Sequence, residues 1–307
     1  MIDSSTSQGP LDLSVVIASI DSTRSLDLCL RRIERACEGL RTEVIVVDAS
    51  EGGAADEVKA LCGRVALVRR PPGTLAPLLW AAGLDQSTGR VVAFSTSHCL
   101  VSSGWARALL AAIDEGATGV GGPLVIGQGT TPLDWAVFYL RYAGFMPHAL
   151  GAGRTDREVA GDNAAYRREA LDRHASTFAS GLWEVDFHRL VRADGGWLSV
   201  APAALAEFGR SFSPGTILRQ RFAHGRHSGA RRVRGGMRAS WQVVMAAPAV
   251  PFILAARAAT QAARGPAPWR LAAALPWFLL LASAWAAGEA VGAWGAGAQQ
   301  AATGLGQ

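Results

Sequence analysis

Apolar, β-branched runs alternate regularly with segments of helical spacing over the first 120 residues, and few folds accommodate that pattern. Residues 13–18 form the first run, and apolar residues at helical spacing over 26–37 separate it from the second run, residues 43–48. The pattern continues with helices predicted at 54–62, 75–84 and 104–113 and with strands predicted at 64–68, 90–94 and 118–121. Such alternation predicts an α/β fold with a doubly wound, mostly parallel sheet.

The loops after the predicted strands are the places to look for a ligand site, because ligands of such sheets bind beyond the carboxyl ends of the strands. Asp48 ends the second strand, and Asp21 lies in the loop after the first. Both carboxylates are placed to hold a nucleoside, or alternatively to cap the helices that follow. A dinucleotide-dependent oxidoreductase or a P-loop enzyme is not expected, since the sequence contains neither G-x-G-x-x-G after the first strand nor a Walker motif.

Charge is distributed unevenly along the chain, whose net charge is +5. Residues 1–207 contain 19 basic and 24 acidic residues, whereas residues 208–307 contain 11 Arg and a single acid, Glu289. Seven of those Arg lie within 219–238, directly before an apolar stretch. This arrangement favours an anionic membrane surface as partner. Nucleic acid is not expected, because aromatic residues are not interleaved with the Arg.

Two stretches without charge, 239–256 and 271–288, follow the Arg-rich segment. Each has 18 residues, which as a helix measures about 27 Å and is long enough to cross a membrane. Pro248 and Pro251 interrupt the first stretch, so it either spans, lies in the interface or re-enters; two buried core helices are the alternative. Residues 1–10 resemble no signal peptide, and the Arg cluster places the globular part on the cytoplasmic side.

Three segments within residues 14–171 resemble motifs of the family-2 glycosyltransferases, which use nucleotide sugars on a GT-A fold. The segments are 14–21 (SVVIASID), 44–50 (VIVVDAS) and 161–171 (GDNAAYRREAL). The resemblance implies a nucleotide-binding set and a second set that borders the diphosphate or the acceptor. The first set comprises Ser19, Asp21, Asp48 and Arg70, and the second comprises Asn163 and Arg167.

A later segment, 220–226 (QRFAHGR), resembles the part of the family that lies near the donor phosphates. The resemblance implies that His224 and Arg226 face the diphosphate, where positive charge stabilises the leaving group. The neighbouring Arg residues of the same basic stretch suit lipid headgroups equally well.

Glu184 occupies the position of the family's general base, since Trp183 and Glu184 precede Asp186 and Gly195 follows eleven residues after Glu184. A carboxylate partly desolvated beside Trp183 is able to accept the proton of an acceptor hydroxyl. Alternatively, Glu184 and Asp186 only favour the positive N-terminus of a helix that begins there.

The family's D-x-D metal motif has no counterpart here, because the fourth strand ends in Ser95-Thr96-Ser97-His98. Mg²⁺ and Mn²⁺ prefer carboxylate oxygens and are held poorly by hydroxyls and one imidazole. Binding of either cation would depend on His98, which alternatively donates to the diphosphate or serves a structural role.

The sequence thus predicts a disordered N-terminus (1–10), a GT-A-like domain (11–205), an Arg-rich connector (206–238), an apolar membrane hairpin (239–295) and a flexible tail (296–307). The family resemblance implies an inverting hexosyl transfer from a nucleotide-sugar donor to a hydroxyl acceptor. We expect a lipid or lipid-linked glycan as acceptor, and a location at the cytoplasmic face of the inner membrane. The alternative is a membrane-anchored pseudo-glycosyltransferase that acts as a nucleotide-binding or scaffold protein.

Overall fold

The computed structural model describes residues 11–20, 23–51, 65–209, 213–265 and 267–304. The predicted disordered N-terminus, Asp21 and the predicted helix at 54–62 lie outside these described residues. The chain divides into two compact units. The first unit consists of Met1–Val125 and Leu150–Gly209, and the second of Ile126–Ala149 and Arg210–Gln307.

Eight strands of the first unit form one sheet, and three short strands form a second. In chain order, the strands are β1 Leu13–Ser19, β2 Thr42–Asp48, β3 Val65–Arg69, β4 Val91–Thr96, β5 Cys99–Val101, β6 Gly119–Gly121, β7 Leu124–Ile126, β8 Gly153–Thr155, β9 Asn163–Arg167, β10 Leu198–Val200 and β11 Ala206–Phe208. The large sheet has the order β3-β2-β1-β4-β9-β6-β10-β8, and the small sheet has the order β5-β11-β7.

The large sheet is mostly parallel, as predicted. Strands β3, β2, β1 and β4 are parallel neighbours, and β6 and β10 are parallel to each other. Strand β9 is inserted between β4 and β6 and is antiparallel to both. Because β9 runs against its neighbours, its first residue lies at the edge where the parallel strands end.

The α-helices alternate with strands in the first unit and make up most of the second. In chain order, they are α1 Thr23–Ala36, α2 Ala76–Leu84, α3 Trp105–Asp114, α4 Pro132–Tyr142, α5 Arg168–Arg173, α6 Glu184–Ala193, α7 Pro214–Arg234, α8 Ser240–Ala246, α9 Val250–Ala262 and α10 Trp269–Gly304. In helix α1 the apolar residues at spacings of three and four form its buried face, since Leu26, Cys29 and Ile33 are fully buried.

The second unit is built around α10, and α7 approaches it so closely that the two backbones touch. A Cβ atom on Gly225 of α7 would lie 2.0 Å from the backbone oxygen of Trp285, and a Cβ on Gly292 of α10 would lie 1.8 Å from that of Arg226. Gly229 and Gly288 meet the opposite helix in the same way. Four glycines on facing sides therefore permit a helix contact that no other residue type would allow.

Two apolar stretches of the second unit are long enough to cross a membrane, Ser240–Ala262 and Trp269–Gln299. The first is divided into α8 and α9 by a 3₁₀ turn at Ala247–Ala249, where Pro248 lies. The second is one helix, α10. Large apolar side chains on these helices remain exposed, among them Trp241, Met245, Phe252, Trp269 and Trp294.

The Arg-rich segment has regular structure rather than the form of a linker. Ala206–Phe208 pair as β11 in the small sheet, and Pro214–Arg234 form α7. Glu289, the only acid of the last hundred residues, lies buried on α10, and its Oε1 is 2.8 Å from Nη1 of Arg232 on α7.

Candidate active site

Polar residues of the first unit meet at the edge where β1, β2 and β4 end. Ser19 and Asp48 are paired in register at the ends of β1 and β2, and Thr96 at the end of β4 is opposite Ala18. Ser95 is paired with Asn163, the first residue of β9. This edge is the one at which the sequence predicted a ligand site.

Asp48 is fully buried, and its carboxylate is held by two neighbours. Its Oδ2 accepts a 2.8 Å hydrogen bond from Nη1 of Arg69 and a 3.0 Å bond from the hydroxyl of Ser50. Sequence reasoning selected Arg70, which is exposed and donates to the backbone oxygen of Arg69 at 2.9 Å. Arg69 was missed; its position as the last residue of β3, directly opposite Asp48, was the signal that could have found it.

Three serine hydroxyls near this edge are buried, those of Ser19, Ser95 and Ser97. None of the three has a hydrogen-bond partner among the described residues. A buried hydroxyl without a partner is costly, since its lost hydrogen bonds to water are not replaced. If a ligand reaches them, these serine hydroxyls are able to form hydrogen bonds with its ribose or phosphate oxygens.

Glu184 is the first residue of α6, and its carboxyl group lies beside Gly161 and Trp80. A Cβ atom built on Gly161 would lie 3.3 Å from the Glu184 carboxyl carbon and 3.0 Å from the Trp80 ring. The Trp80 indole donates a 2.8 Å hydrogen bond to the backbone oxygen of Ser95. Trp80 therefore links the half-buried carboxylate to the end of β4.

Helix α6 begins without a side-chain cap. Trp183 is the N-cap residue, and it makes no capping hydrogen bond. Asp186 forms an ion pair with Arg189 at 3.1 Å, while both acids remain in the first turn, where the helix dipole favours them. Gly195, the glycine of the predicted motif, adopts φ +78 just after α6. This left-handed conformation ends the helix and accounts for a glycine at this position.

A buried polar chain that sequence reasoning missed anchors α6 to β9. The Tyr166 hydroxyl and His188 Nε2 are 2.7 Å apart, and His188 Nδ1 is hydrogen-bonded to Glu158. Arg192 donates to the other Glu158 oxygen at 2.9 Å. Burial, followed by the negative charges of Glu184 and Glu158, raises the pKa of Tyr166 well above its ordinary value.

Asn163 lies at the predicted edge, but it is fully buried and its amide is used by the protein. Its Oδ1 accepts a 2.6 Å bond from the Trp105 indole, and its Nδ2 donates to the backbone oxygens of Pro123 and Ala204 at 3.2 and 2.9 Å. The Asn163 side chain therefore joins β9 to Trp105, Pro123 and Ala204.

Arg167 is not brought to the site. It ends β9 opposite Val91, the first residue of β4, so it lies at the other edge of the sheet. Its guanidinium donates to the backbone oxygens of Ala117, at 2.8 Å, and Ile113. The expectation for Arg167 is therefore corrected, because an antiparallel strand separates its two ends between opposite edges.

His98 follows β4 as expected, but its side chain is 1% exposed. The ring centroid lies 6.4 Å from that of Phe208, and the backbone oxygen accepts a 2.7 Å bond from Gly209. Among the described residues, no group of three or more His, Cys, Asp or Glu could hold a metal ion. Hydroxyls and one buried imidazole are a poor fit for Mg²⁺ or Mn²⁺, so we derive no step through a metal.

The remaining predicted residues, His224 and Arg226, belong to the second unit, on α7. Arg226 is exposed and His224 is half-buried. Burial, and then the charges of Arg221 and Arg141, lower the pKa of His224 to about 3, so its imidazole is neutral at pH 7.

The sequence matches the family model described as "Glycosyl transferase family 2" over residues 14–175. This match covers more than half of the chain, and the chain therefore belongs to glycosyl transferase family 2. Its members are glycosyltransferases, and the nucleotide-sugar class of donor is supported. No curated protein matches this chain significantly.

Two solved structures align with most of this chain. S. aureus TarS 1-349 has a TM-score of 0.50 at 14% identity, with 88% of this chain and 89% of that chain covered. The mannosyltransferase PcManGT from Pyrobaculum calidifontis, in complex with GDP-Man and Mn²⁺, has a TM-score of 0.49 at 16% identity, with 97% of this chain and 81% of that chain covered.

Proposed function

We propose that this family-2 glycosyltransferase moves a hexosyl group from a nucleotide sugar to a hydroxyl of a lipid or lipid-linked glycan, with Glu184 as general base. The observation that carries the proposal is the position of the Glu184 carboxylate. It lies beside Gly161 and Trp80, and Trp80 is bonded to the end of β4, at the edge where β1 and β2 also end. Ligands of doubly wound sheets bind at such an edge.

In the proposed step, the acceptor oxygen attacks the anomeric carbon of the donor sugar while its proton passes to a Glu184 oxygen. The bond between the anomeric carbon and the diphosphate oxygen breaks, and its electron pair leaves with the nucleoside diphosphate. A single base and a single displacement invert the anomeric configuration. The carboxyl carbon of Glu184 and the Trp80 ring both lie within 3.3 Å of a Cβ atom built on Gly161, so the assigned base lies near that ring.

The nucleoside end of the donor is assigned to the ends of β1 and β2. Asp48 is oriented by Arg69 and Ser50, so its carboxylate is held in one direction before a ligand arrives. Ser19, the last residue of β1, belongs to the proposed site, Asp21 is included on the family resemblance alone, and Arg70 lies exposed beside Arg69. His224 and Arg226 are assigned to the diphosphate on the family resemblance.

The membrane part of the proposal depends on the second unit. Its exposed apolar side chains and its excess of Arg fit the cytoplasmic face of the inner membrane, where anionic lipids attract basic segments. A lipid or lipid-linked acceptor follows from that location.

One observation favours a second candidate, a pseudo-glycosyltransferase that binds nucleotides without turnover. The end of β4 carries Ser95, Thr96, Ser97 and His98 where the family has its metal-binding acids. That candidate predicts donor binding and no sugar transfer with any acceptor.

The test compares Glu184→Gln with Asp186→Asn in the full chain, using UDP- and GDP-sugars and a crude lipid acceptor fraction. Replacing the base should lower kcat about 10²- to 10⁴-fold and leave donor binding unchanged, whereas Asp186→Asn should retain most activity. Equal activity of Glu184→Gln and the unmodified protein would rule out the assigned base. Repeating the assay with EDTA and with Mn²⁺ should change the rate less than about threefold, because the residues at the end of β4 are poor ligands for these cations.

A further inference from the structure

Helix α10 is apolar enough to cross a membrane, yet one of its sides is buried by protein along most of its length. The buried residues recur at spacings of three and four: Leu271, Ala274, Phe278, Leu281, Ala282, Ala286, Glu289, Ala293 and Ala296. Such a spacing is typical of a helix that packs one side against other elements of a fold.

Two helices that carry charge cover this side of α10. Near the start of α10, the guanidinium of Arg270 lies 5.5 Å from the centroid of the Trp135 ring on α4. Farther along, Nη1 of Arg232 on α7 is 2.8 Å from Oε1 of Glu289. The glycine contact holds the backbones of α7 and α10 together, so no lipid fits between these two helices.

These contacts leave no part of α10 long enough to cross a membrane alone. A span needs about 20 residues, and the contacts extend from Arg270 to Gln299, whose side chain accepts a 3.1 Å hydrogen bond from Arg234 of α7. If α10 crossed the bilayer, α4 or α7 would have to enter it beside α10. These two helices contain seven Arg, and an Arg within the hydrocarbon is costly.

Helices α8 and α9 have a different surface. Residues 239–256 contain no charged side chain, and Trp241, Met245 and Phe252 are 64%, 73% and 69% exposed. Their spacings of four and seven place these three residues on one side, because the 3₁₀ turn between α8 and α9 keeps right-handed helical backbone angles. Val243 and Pro251, on the other side, are buried. A continuous apolar face of this kind indicates an interaction surface.

Charge around this face favours an anionic partner. Arg238 precedes the uncharged stretch, Arg257 and Arg264 follow it, and all three are exposed. Residues 126–149 and 210–307 together contain twelve Arg and two acids, a net charge of +10. A second copy of this chain would bring the same positive charge to the face, whereas an anionic bilayer surface attracts it.

We propose that α8 and α9 lie in the plane of an anionic bilayer surface, with Trp241, Met245 and Phe252 inserted at the level of the headgroups and upper acyl chains. Helix α10 is then the central helix of the second unit and not a membrane span. Apolar side chains on one face, with Arg at both ends of the segment, are typical of helices that lie in the interface. This arrangement replaces the membrane hairpin that the sequence predicted over 239–295.

This inference deepens the proposed function and rests on it in one respect, the location at the cytoplasmic face. Attachment through α8 and α9 does not depend on Glu184. Glu184→Gln should therefore bind membranes as well as the unmodified protein does, so failure of the transfer reaction and failure of this attachment are separable.

The first experiment determines on which side of the membrane α9 ends. Ala263→Cys and Glu115→Cys, both at exposed positions, are introduced separately into the full chain, and intact bacterial spheroplasts are treated with a membrane-impermeant maleimide. Both variants should be labelled above the background of the unmodified protein only after permeabilisation. Labelling of Ala263→Cys alone in intact spheroplasts would show that the chain crosses the bilayer, and it would overturn the proposal. Labelling of both would retain the in-plane arrangement and reject the cytoplasmic location.

The second experiment measures flotation of the full chain with vesicles of phosphatidylcholine and phosphatidylglycerol. Phe252→Ser should weaken binding about tenfold, and Phe252→Ser combined with Trp241→Ser about a hundredfold, because each removes an inserted side chain. Leu28→Ser, at an exposed position of the first unit, is the control and should change binding less than about twofold. Undiminished binding of the double variant would mean that α10 holds the chain in the bilayer, and the proposal would be wrong. Vesicles of phosphatidylcholine alone should bind the unmodified protein at least tenfold more weakly, and equal binding would reject the anionic partner.

The third experiment measures the depth of the exposed face. Met245→Cys carrying a bimane fluorophore should be quenched by phospholipids spin-labelled near the headgroup more than by those labelled near the end of the acyl chain. Stronger quenching by the deeper label would indicate a membrane span. Quenching as weak as that of bimane on Glu115→Cys would mean that protein, such as a second copy, covers the face. Either of these two results would overturn the proposal.

Discussion

Each unit of this protein contains a histidine withdrawn from solvent, and the two are surrounded differently. In the first unit His188 contacts Tyr166 and Glu158, and Arg192 completes the chain, so every charge has an opposite neighbour. In the second unit His224 lies near Arg221 and Arg141. The first arrangement positions the helix that carries Glu184, whereas the second keeps the His224 imidazole neutral at pH 7.

The units also differ in how their elements pack. The first buries large side chains between helices and sheet, including Trp80, Phe94 and Tyr166. The second relies on backbone contact between α7 and α10 through glycines. A core of large side chains can adjust to a small change, but a contact between two backbones has no flexible atom that could move away.

The largest effect is expected from breaking the glycine contact. Gly292→Ala places a methyl group 1.8 Å from the backbone oxygen of Arg226, and we expect it to lower the free energy of unfolding by about 3 kcal/mol. Gly295→Ala on the same helix meets nothing within 4 Å and should raise it by about 0.5 kcal/mol, because alanine favours helix. Thermal unfolding followed by circular dichroism distinguishes the two variants; similar behaviour of both would contradict the described contact.

Acid should affect the second unit through His224. Its pKa is about 3 in the folded protein against 6.5 for an unperturbed histidine. As the pH falls, the unfolded chain therefore binds a proton before the folded protein does. The stability that this difference provides is present above pH 6.5 and is lost as the pH falls toward 3. Between pH 7 and pH 5 we expect a loss of about 2 kcal/mol.

His224→Gln tests this prediction, because it should reduce the decrease in melting temperature between pH 7 and pH 5. His148→Gln, which changes an exposed imidazole of the same unit, is the control. An unchanged pH dependence in His224→Gln would mean that other groups are responsible.

The smallest effect sharpens the description of the first unit, where the Arg69 side chain contacts the Asp48 carboxylate and the Arg70 side chain donates to the backbone oxygen of Arg69 instead. If Asp48 holds the donor nucleoside, Arg69→Gln should weaken donor binding about tenfold by leaving a buried carboxylate less well held. Arg70→Gln should have an effect of about twofold, since its guanidinium is exposed. Titration calorimetry with nucleotide sugars measures the donor affinity of both variants. A stronger effect of Arg70→Gln would mean that Arg70, and not Arg69, supports donor binding.

The sequence by itself determined the local structure and part of the site. Periodicity predicted β1, β2, β4, α1 and α3 to within about three residues at each end, because the spacing of apolar residues follows from the geometry of each element. The same spacing placed Asp48 at a strand end. The sequence also identified the two apolar helical stretches, because each contains a long run of uncharged residues.

Only the tertiary structure decided which of these residues meet. The insertion of β9 between β4 and β6 brought Asn163 to the site edge and moved Arg167 to the opposite one. Glu184, Trp80 and Gly161 come together from distant parts of the chain. Local spacing carries no information about such pairs, because they depend on strand order and helix packing, which are set by the burial of the whole chain.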